Sequence, residues 1–168
     1  MNNFNEFNID NLTLNPFNKI GKDWMLLTAK YNDKINTMTA SWGGLGFMWG
    51  KNVAFTVIRP QRYTKEFIDN SDNFSICFFD ENYKKTLSYL GSVSGRNENK
   101  IEESNLTVTN FNNVPIFEEA NLIFICKKLY RQDLKYTSFI EKDIDNIWYK
   151  NKDYHCLYIS EIINVLHK

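Results

Sequence analysis

Cysteine, histidine and proline are scarce in this chain of 168 residues, and their scarcity excludes several kinds of protein. The three cysteines, Cys77, Cys126 and Cys156, are far apart and lie in apolar stretches. The sequence contains neither a Cys-x-x-Cys pair nor a zinc-like spacing of cysteine and histidine, so neither a disulfide framework nor a metal site is predicted. We expect three buried thiols in a reducing, cytoplasmic environment.

Long apolar runs and an excess of one charge are also absent. No stretch approaches the ~18–20 apolar residues that cross a bilayer, and the polar start of the chain lacks the features of a secretory signal. Lysine plus arginine total 20, as do aspartate plus glutamate. This neutral balance argues against a nucleic-acid binder. We expect neither a membrane nor a nucleic acid as partner.

What the sequence does contain is enough apolar material for one domain. Hydrophobic residues make up 43% and aromatic residues 15% of the chain, which excludes global disorder. We predict a single domain over residues 1–168, with 1–20 as its loosely ordered part. β-branched and alternating stretches predict about seven strands, at residues 24–29, 35–42, 52–58, 74–79, 106–109, 120–129 and 154–165.

Helical signals are fewer than strand signals. Thr64 is expected to cap a short helix over 65–70, and Asp80 to cap one that runs through Leu90. Ser138 and Glu141 have the spacing of a capping box. Because strands dominate without regular βαβ alternation, we predict a mainly β (α+β) fold, a barrel-like sheet with short peripheral helices.

Arginine and glycine are distributed unevenly. The chain has sixteen lysines but four arginines, and Arg59, Arg62 and Arg96 fall in two short segments. Of the seven glycines, four follow Ser41-Trp42 and two flank Ser92-Val93-Ser94. Arginine offers planar, forked donors to anions, and glycine permits bends and close approach. These segments are therefore candidates for a ligand site.

The segment from Arg59 to Thr64 joins the end of a strand to the start of a helix. A helix start carries unpaired N–H groups and partial positive charge. Arg59 and the hydroxyls of Tyr63 and Thr64 adjoin this helix start. The segment therefore predicts a phosphate-binding site. An ordinary capped helix with surface arginines explains the same pattern, and the segment alone leaves both interpretations open.

Two other segments can also be interpreted either as part of a ligand site or as ordinary structural elements. From Asn36 to Gly44, small hydroxyl residues lead to Trp42, so a flat ligand can lie against the backbone there. An ordinary strand that enters a glycine-rich turn explains the same residues without a ligand. The polar loop from Gly91 to Arg96, followed by Lys100, can fold over an anion, although it lacks P-loop spacing. It also has no serine at the centre of a Gly-x-Ser-x-Gly motif, so a serine hydrolase is not supported.

Taken together, these segments resemble the flavin reductase family with the FMN-binding split barrel, close to its flavoredoxin-like branch. The matching order of segments runs from about Trp24 to Val165. The resemblance implies a split barrel, a homodimer, FMN as cofactor and NAD(P)H as electron donor of a flavin reductase. A flavoredoxin-like electron carrier, with tightly bound FMN and a protein redox partner, is the alternative. A third class, a binder of single-stranded nucleic acid, is disfavoured by the neutral charge.

The resemblance also implies where the cofactor lies. The strand segment would lie beside the flavin ring, the arginine segment would hold the phosphate, and the loop would complete the site. Cofactor-binding residues are then Asn36, Met38, Thr39, Ala40, Ser41, Trp42, Arg59, Arg62, Tyr63, Thr64, Ser94, Gly95, Arg96 and Lys100.

Catalytic side chains are not required, because the flavin itself carries the chemistry. His155 is a candidate neighbour of the active site, although a structural role is the commoner one for such a histidine. The chain reads Asn97-Glu98-Asn99 where relatives often have acidic residues, which leaves the ion partners of Arg96 and Lys100 open.

Overall fold

Strands dominate the structure, a computed structural model that describes residues 4–168. All the strand pairs are antiparallel. The ten strands of this part of the chain are β1 (Asn5–Glu6), β2 (Met25–Tyr31), β3 (Lys34–Ala40), β4 (Gly43–Met48), β5 (Lys51–Ile58), β6 (Asn73–Phe78), β7 (Val108–Phe111), β8 (Val114–Phe117), β9 (Leu122–Asp133) and β10 (Cys156–His167).

The helices are short and lie between strands. The α-helices are α1 (Pro16–Asn18), α2 (Tyr63–Asp69), α3 (Lys84–Ser92), α4 (Lys100–Glu103) and α5 (Asp143–Trp148). Single turns of other helix types occupy Ile9–Asn11, Lys19–Asp23, Glu81–Tyr83 and Tyr136–Ser138. The predicted mainly β fold with short peripheral helices is confirmed.

The main sheet has the strand order β3-β2-β6-β9-β10-β5-β4, with β1 added on β10. A flat sheet of seven strands would separate its edges by about 29 Å. The edge strands β3 and β4 are nevertheless joined by only Ser41 and Trp42, a connection that spans at most about 11 Å. The sheet must therefore curl into a barrel that stays open along a seam between β3 and β4.

The core has two parts, one on each face of the central strands. In β2, Leu27 belongs to the cluster inside the barrel with Phe74 and Phe124, whereas Leu26 faces the cluster beneath α3 and the β7–β8 hairpin. Strands buried on both faces are apolar at successive positions. The three cysteines lie in this core as free, buried thiols, as predicted, and burial raises the pKa of Cys77 to about 11.

One of the predicted helix caps is wrong because its side chain has a partner elsewhere. Helix α2 begins at Tyr63, after Arg62, without a side-chain cap. Thr64 lies inside the helix and is buried, and its hydroxyl accepts a hydrogen bond from Nδ2 of Asn36 at 2.9 Å. The residue therefore joins α2 to β3 and does not start the helix.

Of the other two predicted caps, one is confirmed in position and one is wrong. Asp80 occupies the N-cap position of the turn that leads into α3, although its carboxylate makes no capping bond and accepts a hydrogen bond from Asn121 instead. Ser138 ends the Tyr136–Ser138 turn, and α5 begins only at Asp143 without a side-chain cap.

Strand β4 is not predicted by its local sequence, since its first residues are rich in glycine. Its glycines face Phe55 of β5: Gly44 is the register partner of Phe55, and a Cβ at Gly46 would lie 3.2 Å from the Phe55 ring. The aromatic ring covers the strand where side chains are missing. Pairing with β5 therefore forms a strand that local propensity does not indicate.

The amino-terminal segment runs along the barrel. Asn5 and Glu6 pair with His167 and Leu166 of β10, and Ile20 is buried in the core. The predicted loose order of residues 1–20 stays a prediction, and residues 1–3 lie outside the described part of the chain. Among the described residues, no helix has the length and apolar character needed to cross a membrane.

Candidate functional site

Two adjoining cavities lie at the seam of the barrel. The first, of about 380 Å³, is called the polar cavity, and its walls are formed by Met38, Arg59, Gln61, Arg62, Tyr63, Thr64, Ser92, Val93, Ser94, Gly95 and Lys100. The second, of about 240 Å³, is called the aromatic cavity, and its walls are formed by Met38, Thr39, Ala40, Ser41, Trp42, Val57, Arg59, Arg62, Trp148 and His155. The two cavities adjoin, since Met38, Arg59 and Arg62 lie in the walls of both.

Two cations are fixed in the wall of the polar cavity. Nη1 of Arg62 donates to the carbonyl of Gly91 at 2.7 Å. Lys100 is only 4% exposed, and its Nζ donates to the carbonyls of Leu90 at 2.9 Å and Val93 at 3.1 Å. Burial and the neighbouring Arg62 charge lower the pKa of Lys100 to about 8. An ammonium group has three N–H donors, so these two carbonyls leave one for a ligand.

A contact between β3 and the 91–96 loop closes the outer side of the polar cavity. Asn36 holds the hydroxyl of Thr64 and lies against Gly95. A Cβ at Gly95 would lie 2.3 Å from Oδ1 of Asn36. Only glycine permits this approach, so Asn36, Thr64 and Gly95 build the wall together. Asn36 itself is buried behind it and lines neither cavity.

Arg59 lines both cavities, but its guanidinium is held by the chain itself. It forms an ion pair with Asp153, and its Nη2 donates to the carbonyl of Trp148 at 2.8 Å. It also lies over the Tyr149 ring, 5.3 Å from the centroid. The hydrogen bonds from Arg59 and Gln61 lower the pKa of Asp153. Arg59 thus anchors the chain that precedes β10, and Arg62 and Lys100 are better placed for an anion.

The aromatic cavity is a slot between small residues of β3 and a group of rings. Trp42 packs edge-on against Trp148 at 4.9 Å and lies 5.1 Å from His155, between ring centroids. His155 is 8% exposed, and its Nδ1 is 2.8 Å from the hydroxyl of Tyr149. Burial and the Arg59 charge lower the pKa of His155 to about 4. The imidazole is therefore neutral at physiological pH.

Arg96 is a predicted site residue that lies outside both the polar and the aromatic cavity. Its guanidinium lies over the Tyr63 ring, 4.5 Å from the centroid, and forms an ion pair with Glu66 of α2. It lines an outer groove beyond the wall of the polar cavity. The structure therefore provides partners for the two cations whose partners the sequence left open. Glu66 forms an ion pair with Arg96, and backbone carbonyls, not an acidic side chain, accept hydrogen bonds from Lys100.

The structure brings twelve of the fourteen predicted cofactor-binding residues to the cavity walls, the exceptions being Asn36 and Arg96. His155 lies beside them. Sequence reasoning missed Trp148 and Gln61. Trp148 ends α5, far along the chain, and no local signal connects it with β3; Gln61 lies between the two arginines and could have been included. The described residues contain no group of His, Cys, Asp or Glu side chains that could hold a metal ion.

A barrel that is open along one seam, with a cationic cavity beside an aromatic one, defines a split-barrel protein with a candidate ligand site. The chain belongs to the family described as flavin reductase like domain, which it matches over residues 17–167.

Solved structures share this fold. An FMN-binding domain of a flavin reductases-like enzyme from Shewanella baltica OS155 has a TM-score of 0.72 at 18% identity, covering 99% of this chain and 78% of that one. Flavoredoxin from Methanosarcina acetivorans has a TM-score of 0.67 at 21% identity, with coverages of 87% and 68%. An FMN-binding protein from Thermus thermophilus, with bound 1-cyclohex-2-enone, has a TM-score of 0.65 at 20% identity, with coverages of 84% and 68%.

The predicted split-barrel fold is confirmed by these similarities, which at such identities concern the fold alone. No curated protein sequence matches the chain.

Proposed function

We propose that this chain binds FMN across the two cavities and acts as an NAD(P)H-dependent oxidoreductase of the flavin reductase type. The observation that carries the proposal is that the polar and aromatic cavities adjoin and share Met38, Arg59 and Arg62 in their walls. FMN joins a phosphate dianion to a flat ring system through a polar chain, so its parts follow the same order as the two cavities.

The residues of the polar cavity fit a phosphate. Arg62 and Lys100 are cationic donors held by carbonyl groups, and Ser94 and Tyr63 add hydroxyls to the same wall. A charge-assisted hydrogen bond contributes about 1.5–3 kcal/mol. Two or three of them, together with burial of a ring, supply the roughly 8 kcal/mol of a micromolar complex.

The residues of the aromatic cavity fit a ring. Met38 and Ala40 give an apolar floor, and Trp42 and Trp148 exclude water from above. Within residues 4–168, β3 pairs only with β2, so alternate backbone N–H groups of this edge strand face the seam. Such donors suit the polar edge of a flavin. Bound FMN would accept a hydride from NAD(P)H and pass the electrons on, while the protein binds and orients.

A flavoredoxin-like electron carrier is a second candidate, supported by the surface beside the aromatic cavity. Ile147 is 60% and Trp148 50% exposed at the end of α5, and Trp148 lines the aromatic cavity. An apolar surface at the mouth of a redox site suits docking of a protein electron partner. Turnover separates the candidates: a reductase oxidises NADH or NADPH with free flavin present, whereas a carrier stays yellow and ignores both.

A second copy of the chain is the partner that we propose for the β4–β5 hairpin. Phe47 and Trp49 of this hairpin are exposed, and Trp49 packs beside Tyr130 of β9. The hairpin begins directly after Trp42, so its first strand leads from the aromatic cavity to these exposed aromatic residues.

The decisive experiment is a fluorescence titration of the purified protein with FMN and riboflavin, followed by anaerobic addition of NADH and NADPH. In Arg62→Ala, FMN affinity should fall by about 1.5–3 kcal/mol while riboflavin affinity is retained, because only FMN carries the phosphate. Arg131→Ala, which removes a surface arginine of β9, serves as the charge-matched control. A colourless protein that does not quench FMN fluorescence would refute the proposal.

A further inference from the structure

The aromatic cavity has room for one ring system but not for two. Its volume is about 240 Å³, below the roughly 300–1,000 Å³ of most ligand pockets. Hydride transfer needs the reacting atoms of two rings within about 3–3.5 Å of each other, so a donor ring must lie directly over a ring that already fills the cavity. A wall of the cavity therefore has to move before a second ring can enter.

Most walls of the aromatic cavity are fixed. Residues 38–40 belong to β3 and Val57 belongs to β5, and both strands pair within the main sheet. Arg59 and Arg62 donate hydrogen bonds to backbone carbonyls. His155 is buried and is hydrogen-bonded through Nδ1. Movement of any of these groups would break sheet pairing or hydrogen bonds.

Trp148 is the wall that is held most loosely. It is the last residue of α5, a helix of six residues in which every residue is at least partly exposed. Its half-exposed indole packs edge-on against Trp42. Trp42, by contrast, lies in the two-residue connection between β3 and β4 and also packs against His155. If the Trp148 indole turns outward, this edge contact breaks and the cavity is uncovered.

The backbone at Trp148 is anchored, so the indole can turn without unfolding of the helix. Nη2 of Arg59 donates to the Trp148 carbonyl at 2.8 Å. The next residue, Tyr149, is buried, and its hydroxyl is 2.8 Å from Nδ1 of His155. A half-exposed side chain on a fixed backbone can exchange between its staggered rotamers.

We propose that the indole of Trp148 is a gate over the aromatic cavity, an inference that rests on the proposed flavin site. In its closed position, packed against Trp42, the indole occupies the space that the nicotinamide ring of a donor would take. The gate turns outward before that ring reaches the bound flavin. Trp148 therefore controls the access of a second ring, and it acts as a specificity-determining residue of the site.

The test uses the full chain saturated with FMN. A closed state that dominates leaves roughly 10% or less of the molecules open, and the apparent affinity for a second ring is reduced to that fraction. Trp148→Ala should therefore bind oxidised NAD, which has the shape of the donor but no hydride to give, at least about tenfold more tightly than wild type. Anaerobic reduction by NADH at low concentration should become faster by the same factor.

Two further variants separate a gate from a merely structural role. Trp148→Phe keeps a ring at the gate and should lie between wild type and Trp148→Ala in both measurements. Ile144→Ala shortens another apolar side chain of α5, one that lines neither cavity, and should behave as wild type. Equal values in wild type and Trp148→Ala, including no response in either, overturn the inference. Failure of wild-type protein to bind FMN refutes instead the flavin site on which it rests.

Discussion

At the scale of single residues, Lys100 is the cation whose charge depends most on its surroundings. Its pKa is lowered to about 8 by burial and by Arg62, against an ordinary value of about 10.4. The folded chain therefore binds fewer protons than the unfolded chain between about pH 8 and 10.4. Over this window, Lys100 makes the free energy of unfolding rise with pH, and below it the contribution is flat.

A phosphate dianion beside Lys100 should reverse this shift, because a nearby negative charge favours the protonated amine. FMN binding at about pH 8.5 should therefore take up a fraction of a proton, and FMN affinity should decline as the pH rises above about 8. Calorimetric titration in two buffers of different ionisation enthalpy measures the uptake. Lys100→Met should abolish it while the surface variant Lys30→Met retains it; equal uptake in all three proteins would contradict the role of Lys100.

His155 gives a second prediction at this scale, for stability in acid. Its folded pKa of about 4 lies below the ordinary value, so protonation favours the unfolded chain. The stability that the neutral imidazole provides is complete above about pH 6.5 and is lost as the pH falls toward 4. At pH 5, this pKa shift lowers the free energy of unfolding by about 2 kcal/mol relative to its value at neutral pH.

Urea unfolding at pH 5 and pH 8 tests the His155 prediction. In His155→Gln, the difference in unfolding free energy between the two pH values should be about 2 kcal/mol smaller than in wild type. Glutamine retains a hydrogen-bonding group toward Tyr149. His167→Gln, which removes the other histidine, is the control and should resemble wild type. The same pH dependence in all three proteins would show that His155 does not titrate as described.

At the scale of elements, the chain between β9 and β10 is the part of the site that Arg59 connects to the barrel. It carries α5 and Trp148, the cover of the aromatic cavity, and it is held to the barrel through Asp153 and Arg59. The two side chains of this ion pair are 15% and 24% exposed. Asp153→Ala leaves Arg59 without its carboxylate, which should lower the local opening free energy by about 1–3 kcal/mol.

Hydrogen exchange of residues 143–153 measures this local opening. Because Trp148 covers the aromatic cavity, Asp153→Ala should also lower the affinities for FMN and riboflavin to the same extent. In Arg62→Ala, by contrast, only the affinity for FMN, which carries the phosphate, should fall. Glu161→Ala, which removes the Lys51–Glu161 pair on the barrel surface, is the control. Unchanged exchange in Asp153→Ala would mean that other contacts hold this segment.

The same scale shows what the sequence could predict. The β-branched and apolar strands were recognisable because burial on two faces leaves successive apolar residues, as in β2 and β6. β4 was not, since its glycines form a strand only against the Phe55 ring. Predicted helix caps were wrong where the side chain has a tertiary partner. The Thr64 hydroxyl, for example, accepts a hydrogen bond from Asn36 and does not cap the helix.

In the site, the residues on β3 and on the loop before α2 were predictable, because they are close in sequence and chemically unusual. Trp148 was not, because its place beside Trp42 depends on an anchor formed by Arg59, 89 residues away in the chain.

At the scale of the whole molecule, the proposed homodimer would cover exposed aromatic surface of the β4–β5 hairpin. Phe47 is 72% and Trp49 55% exposed on the hairpin at the edge of the barrel. Large aromatic side chains bury about 150–250 Å² each when they are covered, and two such side chains on each copy would form the centre of the proposed symmetric interface. We expect the protein to sediment at about twice its chain mass of 19.9 kDa.

Trp49→Glu places a charge at this proposed interface and should give a folded monomer, as measured by analytical ultracentrifugation with circular dichroism as the check on folding. Ile140→Glu, at a residue that is 98% exposed and lies between β9 and β10, is the control for adding a charge to an exposed apolar site. If wild type is monomeric at every concentration, or if Trp49→Glu sediments as wild type does, this hairpin is not the interface.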